Sequence, residues 1–239
     1  MSAKNISAST NEVISKISDT TNPATVISPT AARVSFATAA TFGVLLAALH
    51  ILEPEFDPSW RFISEYALGR YGWIMSLAFL SLAMSYVALF MAIRSRLRTI
   101  IGRIGLALLL ISALGLTMAG IFTTDPITTS PENATTSGML HSVGGTLGIA
   151  MTFAAVIISL TLARNPAWSS ARGPLLWTAG IALACTVGFI GFMMAVVPSD
   201  GKFGPDVPVG WPGRIEILAY CAWLMVTARQ AIRVRGQVR

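Results

Sequence analysis

Six separate runs of predominantly apolar residues punctuate this chain of 239 residues, and they decide most of what it can fold into. A helix rises about 1.5 Å per residue and a bilayer's hydrocarbon core is about 30 Å thick, so about 20 apolar residues suffice to cross it. The runs fall at 34–52, 72–93, 100–122, 139–163, 175–197 and 215–232, with proline, glycine and charge between them to end the helices. Composition agrees: 54% of residues are hydrophobic and only 12% charged. A soluble domain carries about a quarter charged residues and could not hide this much apolar surface. The expected fold is therefore all-α, a polytopic membrane helix bundle of six transmembrane helices over residues 33–233. A disordered, Ser/Thr-rich tail (1–32) precedes it, and a short basic tail (234–239) follows.

Charge sets the expected orientation. Thirteen of the 17 basic residues lie in 1–33, in 94–103, in 164–172 and in 229–239, with only Glu12 and Asp19 among the acids. The other loops hold nine of the 11 acids, counting Glu216 at the start of the last run. The positive-inside rule then puts both termini in the cytoplasm and the acidic loops outside, in a cell (inner) membrane. The net charge of +6 is thus a topology signal. No basic stripe interleaved with aromatics appears, so the expected partner is the lipid bilayer and not nucleic acid. Cys185 and Cys221 lie inside apolar runs and read as small buried residues, with no disulfide framework. Nothing in the sequence sets an oligomeric state or specifies a cofactor.

Residues able to do chemistry gather at the outer ends of the runs. His50 and Glu53 close the first, Asp125 follows the third, His141 opens the fourth, and Arg214 and Glu216 open the sixth. Residues 57–69 belong to the same face and read as a short interfacial helix, with Asp57 as N-cap, Pro58 in the first turn and Gly69 as the stop. Trp60 and Tyr66 suit the headgroup level, and Ser64 and Glu65 lie between them. His141, Gly145, Gly148 and Thr152 share one helical stripe, and Gly144 with Gly148 forms a Gly-x-x-x-Gly that invites another helix. Glu216, Tyr220, Trp223 and Thr227 share another stripe. A carboxylate one turn inside a membrane should face the bundle and find a partner there, with His141 and Arg214 as candidates. The small-residue stripe Ala184, Gly188, Gly191 and Ala195 reads as helix packing, and Asp125-Pro126 as a turn.

Several of these pieces together resemble a large prokaryotic family of membrane proteins known only as domain of unknown function 998. They are Ile63-Ser64-Glu65-Tyr66 with Gly72-Trp73, then Phe122-Thr123-Thr124-Asp125-Pro126, His141 with Gly144-Gly145, and Gly213-Arg214, in that order over residues 34–232. Where the resemblance leads one to expect Gln or Glu before the arginine, this chain has Gly213, and Glu216 is the available substitute. The resemblance implies architecture and a motif-bearing outer face, not an activity.

Three functions fit these residues. The first is binding of a lipid or small apolar ligand, or of a membrane partner, by Trp60, Ser64, Glu65, Tyr66, Asp125, His141, Arg214 and Glu216 in an apolar, aromatic-rimmed pocket. The second is a metal-assisted intramembrane hydrolase acting on lipid. Its metal ligands would come from His50, Asp125, His141 and Glu216, and its catalytic groups from His141, Asp125, Glu216, Ser64 and Glu65. The third is a bis-His haem protein using His50 and His141.

Overall fold

The computed structural model describes residues 28–196 and 203–236, and every regular element in it is helical. Seven α-helices follow one another: α1 (Pro29–Leu52), α2 (Gly72–Ile93), α3 (Ile100–Ile121), α4 (Thr136–Gly148), α5 (Ala150–Ala163), α6 (Arg172–Val196) and α7 (Gly210–Gly236). Short 3₁₀ helices lie at Ile63–Leu68, Pro131–Asn133 and Pro166–Ala171. Because α4 and α5 are two halves of one stretch, six stretches are long and apolar enough to cross a membrane.

Helix starts follow local capping chemistry. Ser28 accepts the Ala31 N–H at 3.3 Å and Pro29 supplies a fixed φ in the first turn, so α1 takes in residues 29–32, which the sequence reading left in the tail. The rest of that tail, the end of the fifth run at Val197 and residues 237–239 of the basic tail lie outside the described residues. Thr99 caps α3 through Gly102 N–H, and Thr135 caps α4 through Gly138 N–H.

The helices form a ring. Each long stretch packs on its sequence neighbours, and α1 packs on α7 to close the circle. α2 and α7 also touch across the middle and are the most enclosed stretches, whereas α6 is the least. Buried hydroxyls pin neighbours together: Ser85 donates to Ser35 O at 2.8 Å between α2 and α1, and Trp223 Nε1 donates to Ser159 Oγ at 2.8 Å between α7 and α5. The stripe Ala184, Gly188, Gly191 and Ala195 is not a packing face here. It is exposed, and α6 turns Leu175, Ala179, Ala182 and Thr186 inward instead.

Among the described residues the ring has a gap. The fourth stretch, expected as a continuous helix, breaks at Ile149, whose N–H reaches back only three residues to Thr146 O at 3.2 Å. α5 packs on both α3 and α6, but α4 packs on α3 and makes no comparable contact with α6 or α7 among the described residues. α4 lies very close to α3 because glycines face each other. A Cβ on Gly115 would meet Gly144 O at 2.4 Å, and one on Gly144 would meet Gly115 O at 2.6 Å. Gly145 and Gly148 have nothing within 4 Å of where a Cβ would sit. Of the Gly-x-x-x-Gly pair, then, Gly144 supplies the close approach, while Gly148 faces open space.

The segment after α1 also departs from expectation. Asp57 does not cap a helix; its carboxylate accepts Ser59 N–H at 2.8 Å and makes an Asx turn. The helix starts later, at Ile63, where Glu65 reaches back to Phe62 N–H at 3.0 Å. Gly69 does end it, with an ordinary φ of −83°. Glycine is needed there because a Cβ would lie 2.2 Å from the Glu53 carboxylate.

Candidate functional site

Two polar clusters occupy the end of the bundle that carries the acidic loops. The first is centred on Arg214, 2% exposed, at the start of α7. Its Nε donates to His50 Nε2 at 2.9 Å, and its Nη1 donates to Arg61 O at 2.6 Å and Gly210 O at 3.1 Å. Its Nη2 lies 3.5 Å from Tyr66 Oη. A carbonyl can only accept, so the 2.8 Å contact between His50 Nδ1 and Leu46 O puts the imidazole proton on Nδ1 and leaves Nε2 to accept from the arginine. Burial pushes the Tyr66 phenol up, and the Arg214 guanidinium beside it pulls the other way.

Around this centre the loops are stapled. Glu65, 1% exposed, accepts from Arg61 at 2.6 Å, from Phe62 N–H, and from Ile127 N–H at 2.9 Å in the loop after α3. Trp60 stacks on the Arg61 guanidinium, 4.1 Å from carbon to ring centroid. Glu53, also 1% exposed, accepts Tyr71 N–H. Glu53 Oε2 and Arg61 Nε are buried without partners, but neither residue lines a cavity described below.

Asp125 is likewise a brace. Its two oxygens accept Thr135 N–H and Thr135 Oγ–H, each at 2.8 Å, and Thr135 in turn caps α4. A Cβ on Gly138 would strike Asp125 Oδ2 at 2.0 Å, so glycine permits the clasp. His141 Nδ1 donates to Phe122 O at 2.9 Å, satisfying a carbonyl left over at the end of α3. The four motif pieces of the sequence therefore bond to one another: Arg214 to Arg61 and Tyr66, Glu65 to Ile127 beside Asp125-Pro126, and His141 to Phe122.

The second cluster faces empty space. A cavity of about 200 Å³ lies between α2, α3, α4 and α7, and it shares part of its wall with a vestibule of about 820 Å³ beneath the loop after α3. Ser64, His141 and Glu216 line both spaces. Most of the remaining inner wall is apolar, with Phe79, Leu116, Ala119, Ile149 and Ile217, and the bare backbones of Gly145 and Gly148 widen it. Tyr220 stands ten residues into α7, about 15 Å from the helix start at 1.5 Å per residue, so the cavity reaches toward mid-depth.

Tyr220, at the floor of the cavity, is backed by two further hydroxyls. Thr152, Thr186 and Tyr220 lie mutually 2.7 Å apart, joining α5, α6 and α7. Tyr220 Oη donates to Glu216 Oε1 at 2.7 Å, so its links to the two threonines are made by the Thr152 and Thr186 hydroxyl protons. The partner of Glu216 is thus Tyr220 one turn on, not His141 or Arg214, and Arg214 is committed to His50. Glu216 Oε2 meets no hydrogen-bond donor among the described residues. Neither the Tyr86 nor the Ser64 hydroxyl makes a hydrogen bond among the described residues, although Tyr86 is only 1% exposed and lines the cavity.

The expected site is therefore divided. Ser64, Asp125, His141 and Glu216 border these two spaces, while Trp60, Glu65, Tyr66, Arg214 and His50 do not. Among the described residues no three of His, Cys, Asp and Glu converge as a metal site would require, so His50, Asp125, His141 and Glu216 do not come together as a set. Both ring nitrogens of His50 are engaged by protein, which leaves none to pair with His141 on a haem iron. Tyr86 and Phe79 were missed in the sequence. A tyrosine fourteen residues into an apolar run, far from where an aromatic belt would place it, was the available signal.

The family model described as Protein of unknown function (DUF998) matches residues 36–230, and the chain belongs to that family. No curated protein and no solved structure matches it. Family and six apolar helices together make it an integral membrane protein.

Proposed function

We propose that this protein binds an amphipathic small molecule, a single-chain lipid or a compound of similar build, in the cavity lined by His141 and Glu216. The observation that carries the reading is a deep, mainly apolar cavity with unpartnered polar groups, set where α4 leaves the ring. Ligand sites commonly combine apolar walls with a few convergent polar groups in about 300–1,000 Å³, a range that the vestibule falls in. The gap beside α4 would admit a ligand sideways from the bilayer.

Six membrane crossings, a cell-membrane location and an outward-facing acidic end complete the proposal, on the strength of the arginine distribution. In that orientation the ligand enters from the outer leaflet. Membrane-impermeant thiol labelling from outside should reach Ser130→Cys and not Arg96→Cys.

Native mass spectrometry of the full chain tests the binding itself. Wild type should retain about one co-purifying amphiphile per chain. Gly145→Leu, whose side chain points into the cavity, should lose it while remaining folded. Bare wild type, or equal retention by both, would defeat the reading.

A further inference from the structure

The polar groups facing the cavity differ in kind from those around Arg214, and they restrict the head group a ligand can carry. Glu216 is fixed by Tyr220 through Oε1, so Oε2 keeps its lone pairs for something else. His141 donates through Nδ1 to Phe122 O, so in the neutral ring Nε2 is an acceptor. The Tyr86 and Ser64 hydroxyls can accept or donate, and the Asp125 carboxylate borders the vestibule. No lysine or arginine lines either space among the described residues, and Arg214 is walled off by His50, Tyr66 and the Arg61 carbonyl.

We infer that the ligand's head is a protonated amine held by the free oxygen of Glu216 and the Tyr86 hydroxyl, with its apolar tail against Phe79, Leu116 and Ile149. This rests on the amphiphile-binding reading above and narrows it to one charge class. In a low-dielectric cavity a carboxylate lacking a donor attracts an ammonium and repels another carboxylate. A neutral alcohol can hydrogen-bond to the same oxygen but gains no charge pairing, and a charge-assisted bond is roughly twice as strong as a neutral one. Tyr86 adds a second acceptor, a cavity-lining hydroxyl that makes no hydrogen bond among the described residues.

The test is equilibrium binding of octylammonium, octanol and octanoate to the full chain in nanodiscs at neutral pH, with empty nanodiscs subtracted. All three share one tail and differ in head charge. Octylammonium should bind about tenfold more tightly than octanol, equivalent to about 1.4 kcal/mol, and octanoate should bind most weakly. Glu216→Gln keeps an amide oxygen for Tyr220 and so should fold, and it should erase the octylammonium preference while octanol binding persists. Tyr86→Phe breaks no internal hydrogen bond and should weaken octylammonium severalfold.

Octanoate binding as tightly as octylammonium, or a preference that survives Glu216→Gln, would overturn the amine assignment and leave the amphiphile site standing. Failure of all three probes to bind would remove the site reading itself, and the head-group inference with it.

Discussion

Arg214 and Glu216 stand two residues apart on α7, and their surroundings differ in a way that distinguishes structure from site. Every nitrogen of Arg214 is engaged, by His50, two carbonyls and Tyr66, and the side chains of Arg214, His50 and Tyr66 border no cavity. Glu216 is held at one oxygen, while its other oxygen lies in a cavity with Ser64, His141 and Tyr86. A buried polar group with all its bonds made inside the protein resists change and rigidifies what it touches. One with a bond still to make is either a defect or a ligand contact. Arg214 therefore reads as the clamp that sets the loops, and Glu216 as the group the clamp positions.

Substitutions can separate the two. The largest effect should come from His50→Leu, which strips the acceptor from Arg214 Nε and leaves a charged donor buried without a partner. A stability loss of about 3 kcal/mol is expected in a denaturation titration in detergent. A near-neutral result would mean that the Arg214 cluster is not the clamp described. Thr186→Val should cost less, about 1 kcal/mol, since hydrogen bonds between helices within a membrane are individually modest. Its loss should also loosen Tyr220 and so weaken ligand binding, linking the cavity floor to the site.

A smaller effect confined to acid should come from Asp57. The Ser59 N–H holds its carboxyl below the ordinary value of 3.8, so the folded chain takes up that proton less readily than the unfolded one. The contribution is present above the ordinary value and is lost as pH falls through the folded one. Melting curves of Asp57→Asn between about pH 5 and pH 3 should be flatter with pH than wild type. Least of all, Tyr86→Phe should leave stability within about 0.5 kcal/mol, because no internal bond is lost. A drop of several kcal/mol there would place Tyr86 with the clamp instead of the cavity.

The six helices were legible because length and hydropathy alone fix them, and lipid tolerates little else. The i,i+4 pairing of Glu216 with Tyr220 was also visible as a stripe. The division of the polar end was not. Arg214 meets His50 across 164 positions, and Glu65 meets Ile127 across 62, separations that no local pattern encodes. The misread Asp57 shows the same limit at short range. Asp begins turns and helices alike, and the choice fell to Glu65, whose carboxylate satisfied the backbone at Phe62 and started the helix there. The break at Ile149 had no proline to announce it: α4 is held against α3 at the Gly115–Gly144 contact, whereas α5 packs on α6 as well as on α3.

The bare backbones at Gly145 and Gly148 carry one more consequence. A methyl group at either position would touch nothing, and alanine is the better helix former by up to about 1 kcal/mol. The chamber's capacity can thus be trimmed in methyl-sized steps without disturbing a neighbour. Two positions therefore act as a calibre adjustment that leaves the clamp, the floor and the fold as they are.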